Sequence, residues 1–365
     1  MVIASMGKDF FKGKKVFLTG HSGFKGTWLS LMLEQLGAEV YGYALTPDTK
    51  FYQTAAPNIK KEYEGDIADK ELLHSAVLEA DPDIVIHFAS HSTLNRSYEI
   101  TDYIFHTNVM GLVNLLEAVR KLDRVKAVLV VTSDKCYKNL ESDESYRENS
   151  VLGAQDPYSS SKACQELVTE CYRNSFFGME LKNIPIATAR ASNVLGGGDY
   201  KYERLLPSLV KSFLEGKTAV IRSASSVRPW QNVLDVLGGY LKLIENMFEN
   251  GRADSSYCEA FNFGPNDDGL ITVGEMADKL LKYFPTANYM EEPNTERVKE
   301  TKILKISSEK AHQVLNWHPV YHIDDTLEMA AMFAVRESQG ESVRDICMEY
   351  IEDYMKRGWL NDKQE

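Results

Sequence analysis

A short apolar run, Lys15-Val-Phe-Leu-Thr19, passes directly into Gly20-His-Ser-Gly-Phe-Lys-Gly26. A helical pattern follows at Trp28, Leu29, Leu31, Met32, Leu33 and Leu36, and it stops at Gly37. Strand, glycines at every third position, then helix is the order that cradles a dinucleotide. In that arrangement Gly20 permits the tight turn, Gly23 lets the backbone approach a pyrophosphate, and Gly26 allows close helix packing. The free N–H groups at the helix start add positive partial charge. A chain opening this way is expected to be α/β: a Rossmann-type, doubly wound parallel sheet with a smaller C-terminal substrate-binding lobe.

The rest of the chain supplies further strands of that sheet. Glu39-Val-Tyr-Gly-Tyr-Ala44 reads as the second strand. Its end, Tyr43-Ala-Leu-Thr46, carries neither the acidic residue that takes ribose hydroxyls nor an arginine, so NAD and NADP both stay open. Asp66, next to Ile67, reads two ways: as an acceptor for the adenine amino group, or as the N-cap of a helix beginning near Lys70. Asp83-Ile-Val-Ile-His-Phe-Ala89 is the fourth strand, with Ser90, His91 and Ser92 at its carboxyl end lining the cofactor groove. His91 reads as a hydrogen-bonding wall residue. The fifth strand, Ala127–Val131, runs into Thr132-Ser-Asp-Lys135. The sixth is placed at Ile184–Ala189, with Arg190, Ser192 and Asn193 at its end, and a seventh ends at Phe261-Asn-Phe-Gly-Pro265. Gly196-Gly-Gly198 breaks the chain toward the lobe. The expected division is 1–190 plus 228–263 for the cofactor half and 191–227 plus 264–365 for the lobe and C-terminal helices, two of them charged and amphipathic.

Composition narrows the partners. The formal net charge is -12, which argues against nucleic acid or an anionic membrane, so any phosphate site must be local. No apolar run reaches the roughly 20 residues of a membrane span. Five scattered cysteines without C-x-x-C spacing read as free thiols in a reducing cytoplasm, with neither metal site nor disulfide framework. The N-terminal apolar stretch is too short for a secretion signal. Residues 1–7 are expected to be disordered, with Met6 an alternative start.

Tyr158 and Lys162 stand four residues apart, about one helical turn, so phenol and ammonium point the same way. A phenol titrates near ~10, and an adjacent cation is expected to pull it down. Tyr158 could then take a proton from a sugar hydroxyl while hydride leaves the same carbon. In Val227-Arg-Pro-Trp-Gln231, Arg228 offers a planar fork for a substrate phosphate, whereas Trp230 reads equally as packing. An amphipathic helix around Asn108–Lys121 and another over Tyr158–Phe177 present apolar faces, read either as core or as the face of a homodimer.

Together, Gly20-His-Ser-Gly-Phe-Lys-Gly26, Thr132-Ser-Asp-Lys-Cys-Tyr137, Tyr146-Arg-Glu-Asn149, Asp156-Pro-Tyr-Ser-Ser-Ser-Lys162, Gly196-Gly-Gly-Asp199, Val227-Arg-Pro-Trp-Gln231 and Asn262-Phe-Gly-Pro265 resemble the bacterial CDP-glucose 4,6-dehydratases of the extended short-chain dehydrogenase/reductase superfamily. The resemblance implies a lyase that converts CDP-glucose to its 4-keto-6-deoxy sugar with NAD recycled in place, feeding deoxysugars of a surface polysaccharide such as an O-antigen. It implies Tyr158, Lys162, Asp134, Lys135, Ser133 and Thr132 as the catalytic set. Asp134 would be the acid for the C6 hydroxyl, and Lys135 either a neutral base or an orienting group. Thr132 or Ser133 would hold the C4 oxygen, with Ser133 the better match to the family motif. It further implies cofactor contacts from Gly20, Gly23, Phe24, Gly26, Asp66, Ile67, Ala89, Ser90, Asn108 and Lys162, and substrate contacts from His91, Asn193, Arg204 and Arg228. Asp134 and Lys135 can both reach the sugar only if the fifth strand ends near Thr132.

This chain departs from the family in Ala89-Ser-His-Ser-Thr-Leu-Asn95 and at Ser192, both on the walls of the site. The hexose therefore stays open. Competing readings are a dehydratase on UDP- or dTDP-linked sugars, an epimerase, reductase or decarboxylase of the superfamily, and a non-catalytic nucleotide-binding protein.

Overall fold

Seven strands pair in parallel: β1 (Lys15–Thr19), β2 (Glu39–Ala44), β3 (Lys61–Glu64), β4 (Ile84–His87), β5 (Ala127–Val131), β6 (Ile186–Ala191) and a late strand, Ala260–Phe263. Their spatial order runs β3-β2-β1-β4-β5-β6 and then the late strand. The order reverses between β1 and β4, which opens a crevice beyond their carboxyl ends. A computed structural model describes residues 9–46, 49–92, 97–141, 143–292 and 304–359. The N-terminal segment expected to be disordered lies outside the described residues.

Period-two alternation builds the two faces. Val16, Leu18, Ile84, Ile86, Leu129 and Val131 point into one core, with α1 (Phe24–Gln35) packed against them. Phe17, Val85, Val128 and Val130 point into the other, under α2 (Lys70–Ala80). That second face is also covered by α3 (Thr101–Phe105), which runs through a π turn at His106–Met110 into α4 (Gly111–Val119), and by α5 (Pro157–Ser175). A sheet buried on both faces explains why its strands read as unbroken apolar runs.

The lobe is built on small sheets. β7 (Asn193–Leu195) pairs in parallel with β9 (Val227–Asn232), and β9 pairs antiparallel with Leu270–Thr272. β8 (Thr218–Ile221) pairs with Asn288–Glu291. A third core joins Leu206, Leu209, Phe213, Trp230, Met276 and Leu327. Leu206, Leu209 and Phe213 come from α6 (Leu205–Leu214), and Leu327 from α8 (Ile323–Ser338). Between these segments α7 (Val233–Asn250) returns to the large sheet, so the chain crosses between the two parts more than once. The last helix, α9 (Val343–Tyr354), buries Val343, Ile346, Cys347 and Ile351 in the first core beside α1 and α7, against the cofactor half.

One local expectation is corrected. The sixth strand lies two residues later than Ile184–Ala189, so Arg190 is buried within it and is not at its carboxyl end. The polar and aromatic stretch from Val227 is itself a strand, held by pairing to Leu270–Thr272. No described helix is long and apolar enough to cross a membrane. Among the described residues no cluster of three His, Cys, Asp or Glu could hold a metal, and the five cysteines are free.

Candidate active site

The glycine turn is shaped by its neighbours. Gly20 has φ +74°, and a side chain there would meet the backbone of Ala89 at 2.8 Å. A Cβ at Gly26 would lie 2.1 Å from the Gly20 carbonyl oxygen. Only glycine fits at either position. At Gly23 the fold imposes no such limit, since a Cβ would sit 3.4 Å from that same oxygen. α1 begins at Phe24 with no side-chain cap and no acidic residue in its first turn, leaving N–H groups and positive partial charge facing the crevice. These features suit a pyrophosphate.

Of the two readings of Asp66, the capping one is corrected. Asp69 caps α2 by accepting from Leu72 N. Asp66 instead closes a turn onto Ala68 N at 2.9 Å and accepts from the Tyr103 hydroxyl at 3.1 Å. Ile67 is buried beside Gly111. The second strand ends at Ala44, and Leu45 just beyond it is 58% exposed.

The π turn places Asn108 fully inside the molecule. Its side chain accepts from His91 N at 2.7 Å, and its amide donates to the His91 carbonyl at 3.2 Å and to Ser161 Oγ at 2.8 Å. One amide thus ties the Ser90–Ser92 strand end to the helix that carries Tyr158. Ala89 N donates to Thr19 Oγ1 at 3.2 Å, joining the ends of β1 and β4.

α5 is capped by Asp156, which accepts from Ser159 N at 2.8 Å, and has Pro157 at its first position. Tyr158 and Lys162 are both buried on its inner face. Lys162 Nζ donates to Ser90 Oγ at 3.0 Å, to the Val131 carbonyl at 3.2 Å and to Gln165 Oε1 at 2.9 Å. Burial, with the charge of Lys25 nearby, lowers its pKa to about 7.

The expected lowering of the phenol is corrected. Burial raises Tyr158 to about 12, Ser133 offsets part of that, and the Asp134 charge pushes it further up. Lys162 is not among the groups that shift it; its ammonium turns to Ser90, Val131 and Gln165.

β5 ends at Val131, and Asp134–Cys136 form a 3-10 turn. The early end that Asp134 and Lys135 require is present. Ser133 is extended (φ −168°, ψ 156°), donates to Asp134 Oδ1 at 3.0 Å and accepts from Lys135 N at 3.3 Å. Asp134 is 3% exposed, and burial raises its pKa against the pull of Lys135, Ser133 and Lys25. Lys135 is half-buried beside it. Thr132 does not face this cluster: its hydroxyl donates to the Glu166 carboxylate. Of the two candidates for the C4 oxygen, Thr132 is thus turned toward Glu166, while Ser133 lies beside Asp134.

On the lobe side, Arg204 donates to Asp199 Oδ2 at 2.8 Å and to Ser92 Oγ at 3.3 Å, and its charge reaches Tyr158. Asn193 opens β7 opposite Trp230. Arg228 lies two residues before Trp230 on β9, half-buried, with Nη1 donating to the Val227 carbonyl at 2.9 Å. Of the changed wall segment, Ala89–Ser92 is described, whereas Thr93–Asn95 lie outside the described residues. A separate cavity of about 340 Å³ sits behind Gly196–Gly198, lined by Tyr200, Leu206, Val210 and Phe333.

Two residues escaped the sequence reading. Lys25, inside the glycine motif, stands among Asp134, Arg204 and Lys162, and burial lowers it to about 8. Glu166, one turn beyond Lys162, pairs with Arg190 at 2.7 Å. The four-residue spacing signalled Glu166, but its partner is set by sheet pairing.

Residues 17–330 match the family described as GDP-mannose 4,6 dehydratase. A CDP-glucose 4,6-dehydratase of Salmonella typhimurium is 39% identical over 354 residues, covering 95% of this chain and 98% of that protein. Among solved structures, the epimerase Mth375 of Methanothermobacter thermautotrophicus superposes with a TM-score of 0.79 at 23% identity, covering 93% of this chain and 98% of that one. The dTDP-glucose 4,6-dehydratase of Bacillus anthracis, solved in complex with NAD, gives 0.71 at 24%, covering 90% and 99%. These two likenesses establish the fold. By the extent of the sequence match, the chain belongs to the GDP-mannose 4,6-dehydratase family.

Proposed function

We propose that this family member is an NAD-dependent nucleotide-sugar 4,6-dehydratase acting on CDP-glucose. The observation that carries this reading is the turn at Ser133–Lys135. It sets a buried carboxyl with a raised pKa beside the serine that faces Tyr158. An epimerase or reductase has no use for an acid aimed at a departing C6 hydroxyl. The 39% identity over 95% of the chain supports the choice of CDP-glucose.

Gly20, Gly23, Phe24 and Gly26 would hold the pyrophosphate. Asp66 and Ile67 would face the adenosine end, and Ala89, Ser90, Asn108 and Lys162 the nicotinamide end. When bound, NAD supplies the acceptor for the C4 hydride and returns it to C6. Tyr158 takes the C4 hydroxyl proton, with Ser133 holding that oxygen. Removing H5 and expelling the C6 oxygen need a base and an acid. Asp134 protonates the leaving oxygen, which departs as water. Lys135, in its neutral form, takes H5, stabilises the C4 enolate as the ammonium so formed, and gives the proton back to C5 as the hydride reaches C6. His91 and Asn193 wall the sugar, and Arg204 and Arg228 take the diphosphate. The cofactor half would take 1–190 plus 233–263, with β9 left in the sugar-nucleotide lobe beside β7 and Leu270–Thr272, and α9 docks back on the cofactor half.

The enzyme acts in the cytoplasm in a deoxysugar route to surface polysaccharide. It works as a homodimer through the outer face of α4, with the π turn leading into it, and α5, where Met110 of the turn is 44% and Leu167 of α5 56% exposed. Incubation with NAD and CDP-glucose should give a 4-keto product whose near-ultraviolet absorbance develops in alkali. Unchanged absorbance would contradict the reading.

A further inference from the structure

We propose that Glu166, together with Arg190, is a positioning residue that clamps both ends of the turn carrying Ser133, Asp134 and Lys135 and so fixes that turn in register with Tyr158. At the leading end, Thr132 donates its hydroxyl to Glu166. At the trailing end, the Tyr137 hydroxyl accepts from Arg190 Nη1 at 2.7 Å. The two ends meet in one ion pair, Arg190 Nη2 to Glu166 Oε2 at 2.7 Å, with each side chain 4% exposed. Thr188 supplies a third donor to the same carboxylate at 2.7 Å. Beyond Tyr137 the network continues: its hydroxyl donates to Asn262 Oδ1 at 2.7 Å, and Asn262 donates to the Tyr146 carbonyl at 3.1 Å.

Glu166 lies four residues after Lys162 on α5, so phenol, ammonium and clamp ride on one rigid rod. Lys162 adds its own tie to the Val131 carbonyl at 3.2 Å. Apolar residues of like volume would fill such a site at no loss of stability, so a buried ion pair is a costly way to pack a core. What charge adds is direction: each donor must point at a fixed oxygen. Reacting groups misplaced by about 1 Å can lose on the order of 100-fold in rate. The acid and the tyrosine come from different elements, and this pair ties those elements together at both ends of the turn. The inference rests on the dehydratase reading and names what holds its acid in place.

The test compares the parent with Thr132→Val and Thr132→Ser, each as holoenzyme with NAD and CDP-glucose, using sugar deuterated at C4. Thr132→Val removes the leading tie and keeps the ion pair. We expect kcat to fall about tenfold with KM held within about twofold. The C4-deuterium isotope effect on kcat should fall toward one as elimination, the step Asp134 serves, becomes limiting, and Thr132→Ser should restore both. A valine variant with parental kcat and isotope effect overturns the proposal, whatever its melting temperature, and leaves the dehydratase reading standing. If Thr132→Val does not fold, Tyr137→Phe, which loosens the trailing end, decides by the same two readouts. A parent enzyme that dehydrates no nucleotide sugar overturns the reading, and this proposal with it.

Discussion

Asp134 is carried by a turn and not by a strand, and that decides what its carboxyl can reach. Had β5 continued past Val131, alternation would have sent Asp134 and Lys135 to opposite faces. The strand stops, and Ser133 and Asp134 meet at 3.0 Å inside the protein. Burial raises the carboxyl, so more of it is protonated near neutrality, as a general acid requires. Asp134→Asn should keep NAD binding and lose at least about 100-fold in elimination. Parental turnover would remove Asp134 from the acid role. The spacing of Tyr158 and Lys162 made their shared face legible in the sequence, but the phenol's titration was not. It follows from burial and from partners brought by distant strands, and these raise it to about 12.

At the scale of elements, the glycine loop and the parallel strands were readable because period and glycine spacing are local signals. The misplaced sixth strand shows where local signals fail. Arg190 lies inside β6 because Glu166 and Tyr137 satisfy its guanidinium, and nothing beside it in the sequence announces either partner. Asp235, in the first turn of α7, is a similar case. It is fully buried and accepts from Val320 N at 2.7 Å and Tyr321 N at 3.2 Å, which joins the entry to α8 onto the large sheet's helix. Burial lifts its carboxyl to about 7, against roughly 3.9 in an unfolded chain. Between those values the native state holds a proton that the unfolded state lacks. The stability this contributes is complete below about pH 4 and is lost as pH rises through about 7. The urea midpoint of the parent relative to Asp235→Asn should therefore fall between about pH 4 and pH 7. A difference independent of pH would contradict this.

At the scale of the whole molecule, the crevice beyond β1 and β4 faces a lobe assembled from segments far apart in sequence, and the glycine break at Gly196–Gly198 marks its first entry. The return of α9 to the cofactor half was not legible, because a charged amphipathic helix shows which face it buries but not against what. In the proposed homodimer the outer face of α4 and α5 meets a second copy of the chain. Leu167→Glu should convert the dimer to monomer in sedimentation, since a charge at an apolar contact stays unpaired, whereas an unchanged mass would move the interface elsewhere. The central claim concerns the reaction itself. It is tested most directly by mass spectrometry after the protein is incubated with NAD and, separately, CDP-glucose, UDP-glucose, dTDP-glucose and UDP-N-acetylglucosamine. The account predicts loss of one water from CDP-glucose. An isomer of unchanged mass, or no reaction with any of the four, would contradict it.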